Sequence, residues 1–124
     1  MPLDEAIVKL ADAIFDASRA SVDDPIKAWD DHNEKLRIKT NWLNEKNFAA
    51  LQYNGPNTNL RVGLADEHEW MGGASKAQNG IICNPNIPSE EVFTTPHAYK
   101  VDGTVTSTKP LSYQGTLIDN IKVT

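Results

Sequence analysis

The sequence predicts an α+β fold, with an N-terminal helical segment followed by a mostly antiparallel, twisted β-sheet. Apolar residues recur at helical spacing through about residues 1–48. From about residue 49 onward they alternate with polar residues, and turn dipeptides separate the alternating runs. A chain of 124 residues can bury one modest hydrophobic core, so we expect a single domain over residues 1–124.

Two amphipathic helices are predicted in the first segment. Asp4 is a candidate N-cap for the first helix. The apolar face of this helix comprises Ile7, Val8, Leu10, Ala11, Ile14 and Phe15. The second helix is expected to begin at Asp24 and Pro25, because proline fits the first helical turn, and to be followed by a break or a short further turn at 44–47. One stripe of it comprises Trp29, Asn33, Leu36, Thr40 and Leu43. We expect the two helices to pair.

Short strands are predicted in the second segment, at 50–53, 59–64, 69–71, 81–83, 92–95, 104–108 and 116–124. Turn residues separate them, at Asn54-Gly55-Pro56, Gly72-Gly73, Asn79-Gly80, Asp102-Gly103 and Gln114-Gly115. Asn57 follows the first of these turns, and asparagine tolerates a positive φ better than most residues do. Strands of this length and spacing are typical of an antiparallel sheet.

Composition and charge argue against two classes of partner. The net charge is −5 and the basic residues are scattered, unlike those of a nucleic-acid-binding protein. No apolar run approaches membrane-spanning length, and the N-terminus lacks the pattern of a signal peptide. The single cysteine, Cys83, excludes an internal disulfide and fits a reducing compartment. We therefore expect a cytoplasmic protein without nucleic-acid or membrane partners.

The block 84–97 is the most informative segment of the chain. Pro85 and Pro88 stiffen the approach to the adjacent carboxylates Glu90 and Glu91, which precede a β-branched and aromatic run that favours a strand. Successive side chains of a strand point to opposite faces, so only one of the two carboxylates can enter a cleft. A carboxylate held on a stiff element suits a divalent cation. The alternative is that the pair forms surface salt bridges or protects a sheet edge.

This block resembles the Asn-x-Pro-Thr/Ser-Glu-Glu-Val-Phe-Thr-x-Pro signature of the thermophilic-type metallo-aminopeptidases, the family of aminopeptidase T, aminopeptidase S and PepS. Other landmarks follow the family order along most of the chain. They are Asp24-Pro25-x-x-x-Trp29, Leu43-Asn44, Gly55-Pro56-Asn57-Thr58-Asn59-Leu60, Val62-Gly63-Leu64, Trp70-x-Gly72-Gly73, Val101-Asp102-Gly103 and Lys109-Pro110-Leu111-Ser112-Tyr113-x-Gly115. The chain departs from the family at Asn57, where a glycine is usual.

The resemblance implies a metal-dependent aminopeptidase that removes N-terminal residues from peptides with a free N-terminus. Two divalent ions, zinc, cobalt or magnesium, would activate the attacking water. Glu91 is the implied first metal ligand, with Glu90 as the alternative. The family's other glutamate, histidine and aspartate ligands are expected beyond Thr124, and its N-terminal portion before Met1. We therefore expect an internal piece of a longer enzyme, without catalytic residues of its own and inactive in isolation.

Further side chains have a structural interpretation beside a functional one. Trp70 is a candidate wall of a substrate cleft, although core packing is the simpler interpretation. His32 is expected on a solvated helix face, His68 in the acidic loop 66–69, and His97 in a surface loop although it follows Glu91 closely. Cys83 is interpreted as a small buried hydrophobe.

A second functional hypothesis is a non-catalytic α+β module that self-associates or binds a partner through open sheet edges. The strand predicted at 116–124 alternates apolar and polar residues, and its unpaired backbone groups would form a template for another chain. We therefore expect a homo-oligomer.

Overall fold

The computed structural model describes residues 1–111 and 115–124, and the predicted α+β fold class is confirmed. The two helices come first in the chain and the strands follow. The helices are α1 (Leu3–Ala17) and α2 (Pro25–Lys46), and the strands are β1 (Ala50–Gly55), β2 (Thr58–Leu64), β3 (Ser75–Lys76), β4 (Ile82–Cys83), β5 (Pro96–Val105) and β6 (Ile121–Val123). No helix within the described ranges is long and apolar enough to cross a membrane.

The chain divides into two compact units. The helical unit comprises residues 1–42 and 71–93, and the sheet unit comprises residues 43–70 and 94–124. The organisation of residues 1–124 as one domain stays a prediction.

Helix α2 forms as its sequence predicts. The Oδ1 atom of Asp24 accepts a 2.9 Å hydrogen bond from the backbone N–H of Lys27, and Pro25 is the first helical residue. Leu36 and Thr40 are buried, as expected for two members of the predicted stripe. The sequence leaves open whether 44–47 is a break or a further turn, and residues 44–46 continue the helix, which ends at Lys46 before Asn47 with a φ of 46°.

Helix α1 corrects two predictions. It begins at Leu3 without a side-chain cap. Asp4 therefore lies in the first turn, where its negative charge interacts favourably with the positive end of the helix dipole. No residue of α1 is buried, and α1 does not pack along α2. The predicted pairing is therefore wrong. The buried stripe of α2 has another partner, because Leu36 packs against Gly73.

The strands predicted at 69–71 and 92–95 are reduced to one antiparallel bridge. Met71 and Phe93 exchange both of their backbone hydrogen bonds, at 2.9 and 2.8 Å. The neighbouring Trp70 directs its backbone N–H and C=O to the side-chain amide of Asn44, at 2.7 and 3.1 Å. Cys83 is exposed rather than buried, since β4 forms only a two-stranded sheet with β3 among the described residues.

The sheet unit contains four antiparallel strands in the order β1-β2-β5-β6. β1 and β2 form a hairpin that is in register from Ala50 opposite Gly63 to Gly55 opposite Thr58. Asn57 lies in the connecting turn with a φ of 53°, so the expectation that asparagine would hold a positive φ there is confirmed.

Asp102 and Gly103 lie inside β5 and not in the turn that their sequence predicts. Gly103 has a φ of 138°, a backbone conformation that L residues with side chains rarely adopt. A Cβ atom at this position would overlap the carbonyl oxygen of Asn59 and lie 2.7 Å from the Cα atom of Leu60. The glycine is therefore required by the close approach of β2.

The last strand is shorter than the sequence predicts. Only Ile121–Val123 is a strand, and it pairs with residues 103–105 of β5. Asn120 has a φ of 54°, and this left-handed backbone interrupts the extended conformation expected over 116–124. Of the predicted turn at Gln114-Gly115, Gln114 lies outside the described residues.

We predict that Gly103→Ala destabilises the protein by more than about 2 kcal/mol, because the new Cβ overlaps β2 and the backbone is strained. Gly55→Ala is the matched control, since its Cβ would meet only Thr58 Cβ, at an ordinary 3.9 Å. Chemical denaturation of both variants gives the free energies of unfolding. Equal stabilities would contradict the close-approach interpretation.

Candidate metal-binding site

A cleft of about 730 Å³ lies within the helical unit, between α2 and the segments 71–75 and 85–93. Four charged side chains line it, namely Asp30, Glu34, Arg37 and Glu91. Met71 and Phe93 add apolar surface, and each is about half exposed, at 51% and 50%. The cleft therefore combines carboxylate oxygens with an apolar wall, a combination that suits a small polar ligand with an apolar part.

Glu91 is exposed on the wall of this cleft. Within the described part of the chain, no side chain or backbone group forms a hydrogen bond or ion pair with its carboxylate. Both of its oxygens are therefore available to a cation. The backbone at Glu91 is irregular, so strand alternation is not the reason that it differs from Glu90.

Glu90 is occupied by partners. Its Oε1 atom accepts a 2.7 Å hydrogen bond from Nη1 of Arg19, and its Oε2 atom lies 3.4 Å from Nε2 of His32. The hydrogen bond from Arg19 lowers the pKa of Glu90 below its ordinary value, partial desolvation opposes this shift, and the charges of His32 and Arg19 reinforce it. Glu90 is therefore an ionised carboxylate that is already paired.

The backbone around Glu91 is held by a glycine. A Cβ atom on Gly72 would lie 2.5 Å from the carbonyl oxygen of Glu91 and 3.1 Å from the Cα atom of Val92. Only glycine permits this approach. The bridge between Met71 and Phe93 continues the same contact on the adjacent residues. Gly72, in the Trp70-x-Gly72-Gly73 landmark, thus packs against the backbone at the carbonyl group of Glu91.

An amide pair anchors the start of the 84–97 block to α2. Asn33 Nδ2 donates to Asn84 Oδ1 at 2.7 Å, and Asn84 Nδ2 donates to Asn33 Oδ1 at 2.9 Å. Both side chains are partly buried. Asn33 lies on the stripe of α2 that contains the buried Leu36 and Thr40, and a partly buried amide needs hydrogen-bond partners.

Arg37 and Glu34 form a second charged pair on the cleft wall. Nε of Arg37 donates to Oε2 of Glu34 at 2.7 Å, and Nη2 contacts the other oxygen. This hydrogen bond lowers the pKa of Glu34 and raises that of Arg37. Over residues 1–111 and 115–124, no group of three or more histidine, cysteine, aspartate or glutamate side chains is arranged to hold a metal. Glu91 fits a divalent ion as one ligand of a larger set.

Two of the three histidines lie elsewhere than the sequence predicts, whereas His68 lies in the loop expected for it. His32 was expected on a solvated face, but its side chain is only 14% exposed, because it packs against Trp29 and contacts Ser89. His97 lies in β5 rather than in a loop, and its Nδ1 atom accepts a 3.2 Å hydrogen bond from the N–H of Tyr99. His68 is half-buried, with Nδ1 2.7 Å from the carbonyl oxygen of Ala65.

Trp70 belongs to the sheet unit and is 8% exposed. It is not among the residues that line the cleft around Glu91. Its indole N–H is buried and has no hydrogen-bond acceptor among the described residues. A role for Trp70 at a substrate cleft stays a prediction.

An α+β chain with an unpaired carboxylate on a cleft wall fits the class of metal-dependent hydrolases. The thermophilic metalloprotease (M29) family matches residues 1–124, and the chain belongs to this family. The resemblance inferred from the sequence is confirmed.

Similar proteins are aminopeptidases by name. Aminopeptidase T of Thermus thermophilus and Aminopeptidase 2 of Geobacillus stearothermophilus are each 49% identical over 121 residues, covering 98% of this chain and 30% and 29% of their own lengths. A solved structure, wild-type AmpT from Thermus thermophilus, matches with a TM-score of 0.83 and 46% identity over 98% of this chain and 29% of that one. The chain thus spans about 30% of the length of the curated relatives it matches.

We predict that Asn33→Leu costs about 2 kcal/mol of unfolding free energy, because it leaves the partly buried amide of Asn84 unpaired. The double variant Asn33→Leu/Asn84→Leu should recover part of this loss, since no amide is then left without a partner. Asn41→Leu, at an exposed position of the same helix, is the control. If the double variant is less stable than the single one by a further 2 kcal/mol or so, the amide pair does not act as a unit.

Proposed function

We propose that the complete protein is a metal-dependent aminopeptidase in which Glu91 binds one of two divalent ions. The observation that carries this proposal is the unpaired Glu91 carboxylate on the cleft wall of a chain that belongs to the metalloprotease family. The aminopeptidase relatives support the reaction class, and peptides with a free N-terminus are the proposed substrates.

The choice of Glu91 over Glu90 rests on their partners. A carboxylate that becomes a metal ligand must give up any hydrogen bonds that compete with the metal. Glu90 would have to leave Arg19 and would lose the interaction that lowers its pKa. Glu91 has no such competing partner within the part of the chain that the structure describes. Metal binding therefore costs less reorganisation at Glu91.

The bound ions would polarise the scissile carbonyl and lower the pKa of the attacking water. The residues of this chain bind and orient. Glu91 supplies carboxylate oxygens, and Gly72 with the bridge between Met71 and Phe93 holds the backbone that carries them. The exposed apolar surface of Met71 and Phe93 lies in the same cleft and offers contact area for a substrate side chain.

The remaining ligands are proposed to come from other parts of the complete enzyme, since Glu91 alone cannot hold two ions. We further propose zinc, cobalt or magnesium as the ion, and the cytoplasm as the compartment, for which the single exposed Cys83 is the only support in this chain.

We predict that Glu91→Gln in the complete enzyme removes most of the bound metal and lowers kcat/KM at least about a hundredfold, because the amide has no negative charge. Glu90→Gln, which changes the neighbouring residue in the same way, should cost clearly less of both. Metal content by mass spectrometry and hydrolysis of an aminoacyl anilide measure the two effects. If Glu90→Gln loses more metal and activity than Glu91→Gln, then Glu90 is the ligand. If neither variant loses metal, neither carboxylate is a ligand.

A second candidate function concerns the 124-residue chain on its own. β1 and β6 are the outer strands of the described sheet, and open strand edges pair with other chains. We predict that this chain alone hydrolyses no aminoacyl anilide with added zinc, cobalt or magnesium, and that it forms a homo-oligomer. Light scattering at several concentrations and the same anilide assay test this. A strictly monomeric species would refute the predicted self-association. Metal-dependent activity would refute the predicted inactivity of the isolated chain.

A further inference from the structure

Arg19 lies directly after the C-cap of α1 and has a φ of 58°. Its N–H donates to the carbonyl oxygen of Asp16 at 3.0 Å, and the N–H of Ala20 donates to that of Phe15 at 2.8 Å. Arg19 therefore has the left-handed backbone that commonly ends a helix.

The guanidinium carbon of Arg19 lies 4.6 Å from the centre of the Trp29 ring, and only 22% of the side chain is exposed. The indole N–H of Trp29 donates to the carbonyl oxygen of Ser18 at 2.8 Å, which ties the ring to the residue before Arg19. The ring of Trp29 therefore restrains the guanidinium independently of any carboxylate partner.

The acid that the guanidinium meets is 71 residues away in the sequence. Nη1 of Arg19 lies 2.7 Å from Oε1 of Glu90, directly beside Glu91. Most surface ion pairs are weak because two flexible side chains must be ordered. Here the ring of Trp29 already orders the arginine, so the position of the acid follows from that of the base.

His32 hydrogen-bonds to Ser89, the residue that precedes Glu90. Its Nε2 atom lies 2.7 Å from the carbonyl oxygen of Ser89, and because a carbonyl oxygen only accepts, Nε2 must carry the hydrogen. The imidazole packs edge-on against Trp29, with ring centres 5.6 Å apart. Residues 89 and 90 are thus fixed on one side of Glu91, and the bridge at Phe93 fixes the other side.

We propose that Arg19 is a positioning residue for the metal ligand Glu91, acting through Glu90, while His32 holds the adjacent Ser89 carbonyl. This inference rests on the proposed metal-binding role of Glu91. The two contacts restrain the backbone on the N-terminal side of Glu91, so that its carboxylate meets the ion without first being ordered. Groups that orient a metal ligand in this way commonly change metal affinity by about 10- to 100-fold when they are removed.

The test is a titration of Zn²⁺ into the metal-free complete enzyme against a competing chelator, together with the unfolding midpoint of each metal-free variant. Arg19→Leu should weaken Zn²⁺ binding about tenfold or more. Arg19→Lys keeps the positive charge but not the planar guanidinium. Its Zn²⁺ affinity should therefore lie between that of Arg19→Leu and that of the unchanged enzyme. Lys27→Leu is the matched control, because it removes an exposed ion pair with Asp31 on α2 and should leave the affinity unchanged.

A double variant separates positioning from general stability. If Arg19 acts through Glu91, then Arg19→Leu adds no further loss of Zn²⁺ affinity in a Glu91→Gln background. An equal loss in both backgrounds would overturn the proposal. So would an Arg19→Leu enzyme with a lowered unfolding midpoint and an unchanged affinity. If Arg19→Leu does not fold, Glu90→Gln serves in its place with the same expectation, since the side chain of Glu90 is 56% exposed and the change preserves its shape.

The same titration distinguishes failure of this inference from failure of the proposed function. Loss of Zn²⁺ binding in Glu91→Gln with full binding in Arg19→Leu and Glu90→Gln would overturn the positioning role and leave Glu91 as a ligand. Full binding in Glu91→Gln would overturn the proposed ligand and the positioning role together.

Discussion

The approach of Gly72 to the carbonyl oxygen of Glu91 is the constraint on which the rest of the cleft depends. A Cβ atom at position 72 would lie 2.5 Å from that oxygen, so any other residue would push the two segments apart. The bridge between Met71 and Phe93 forms on the adjacent residues and needs the same spacing. The wall that carries Glu91 therefore exists because one position lacks a side chain, and hydrogen bonds then hold the segments at that distance.

Glu90 and Glu91 are adjacent in the sequence but have different surroundings. Glu90 pairs with Arg19, and because its carboxylate is 56% exposed, solvent screening limits the contribution of this pair to stability to about 1 kcal/mol. Its main consequence is therefore geometric, since it restrains the residue beside it. Glu91 has no partner among the described residues and faces the cleft. The structure thus keeps one acid occupied and leaves the other available.

Local patterns in the sequence predict the helices, the antiparallel sheet and the landmark residues, because capping, periodicity and turn chemistry act over a few residues. They do not predict contacts between distant segments. The pairing of Arg19 with Glu90 joins positions 71 residues apart, and nothing near either residue indicates it. Cys83 was wrongly expected to be buried, since its apolar neighbours suggest a core strand that the topology leaves at the surface. Gly103 is a similar case. The local sequence Asp102-Gly103 predicts a turn, but a glycine is needed there because β2 approaches closely.

The proposed arrangement has Glu91, and not Glu90, bound to a metal while Arg19 keeps its hydrogen bond to Glu90. Anomalous diffraction at the zinc edge from crystals of the complete enzyme grown with Zn²⁺ distinguishes the two carboxylates. We expect a zinc peak with a carboxylate oxygen of Glu91 at about 2.0–2.2 Å, and Glu90 still hydrogen-bonded to Arg19. A zinc ion coordinated by Glu90, or one that leaves Glu91 outside its coordination sphere, would contradict it.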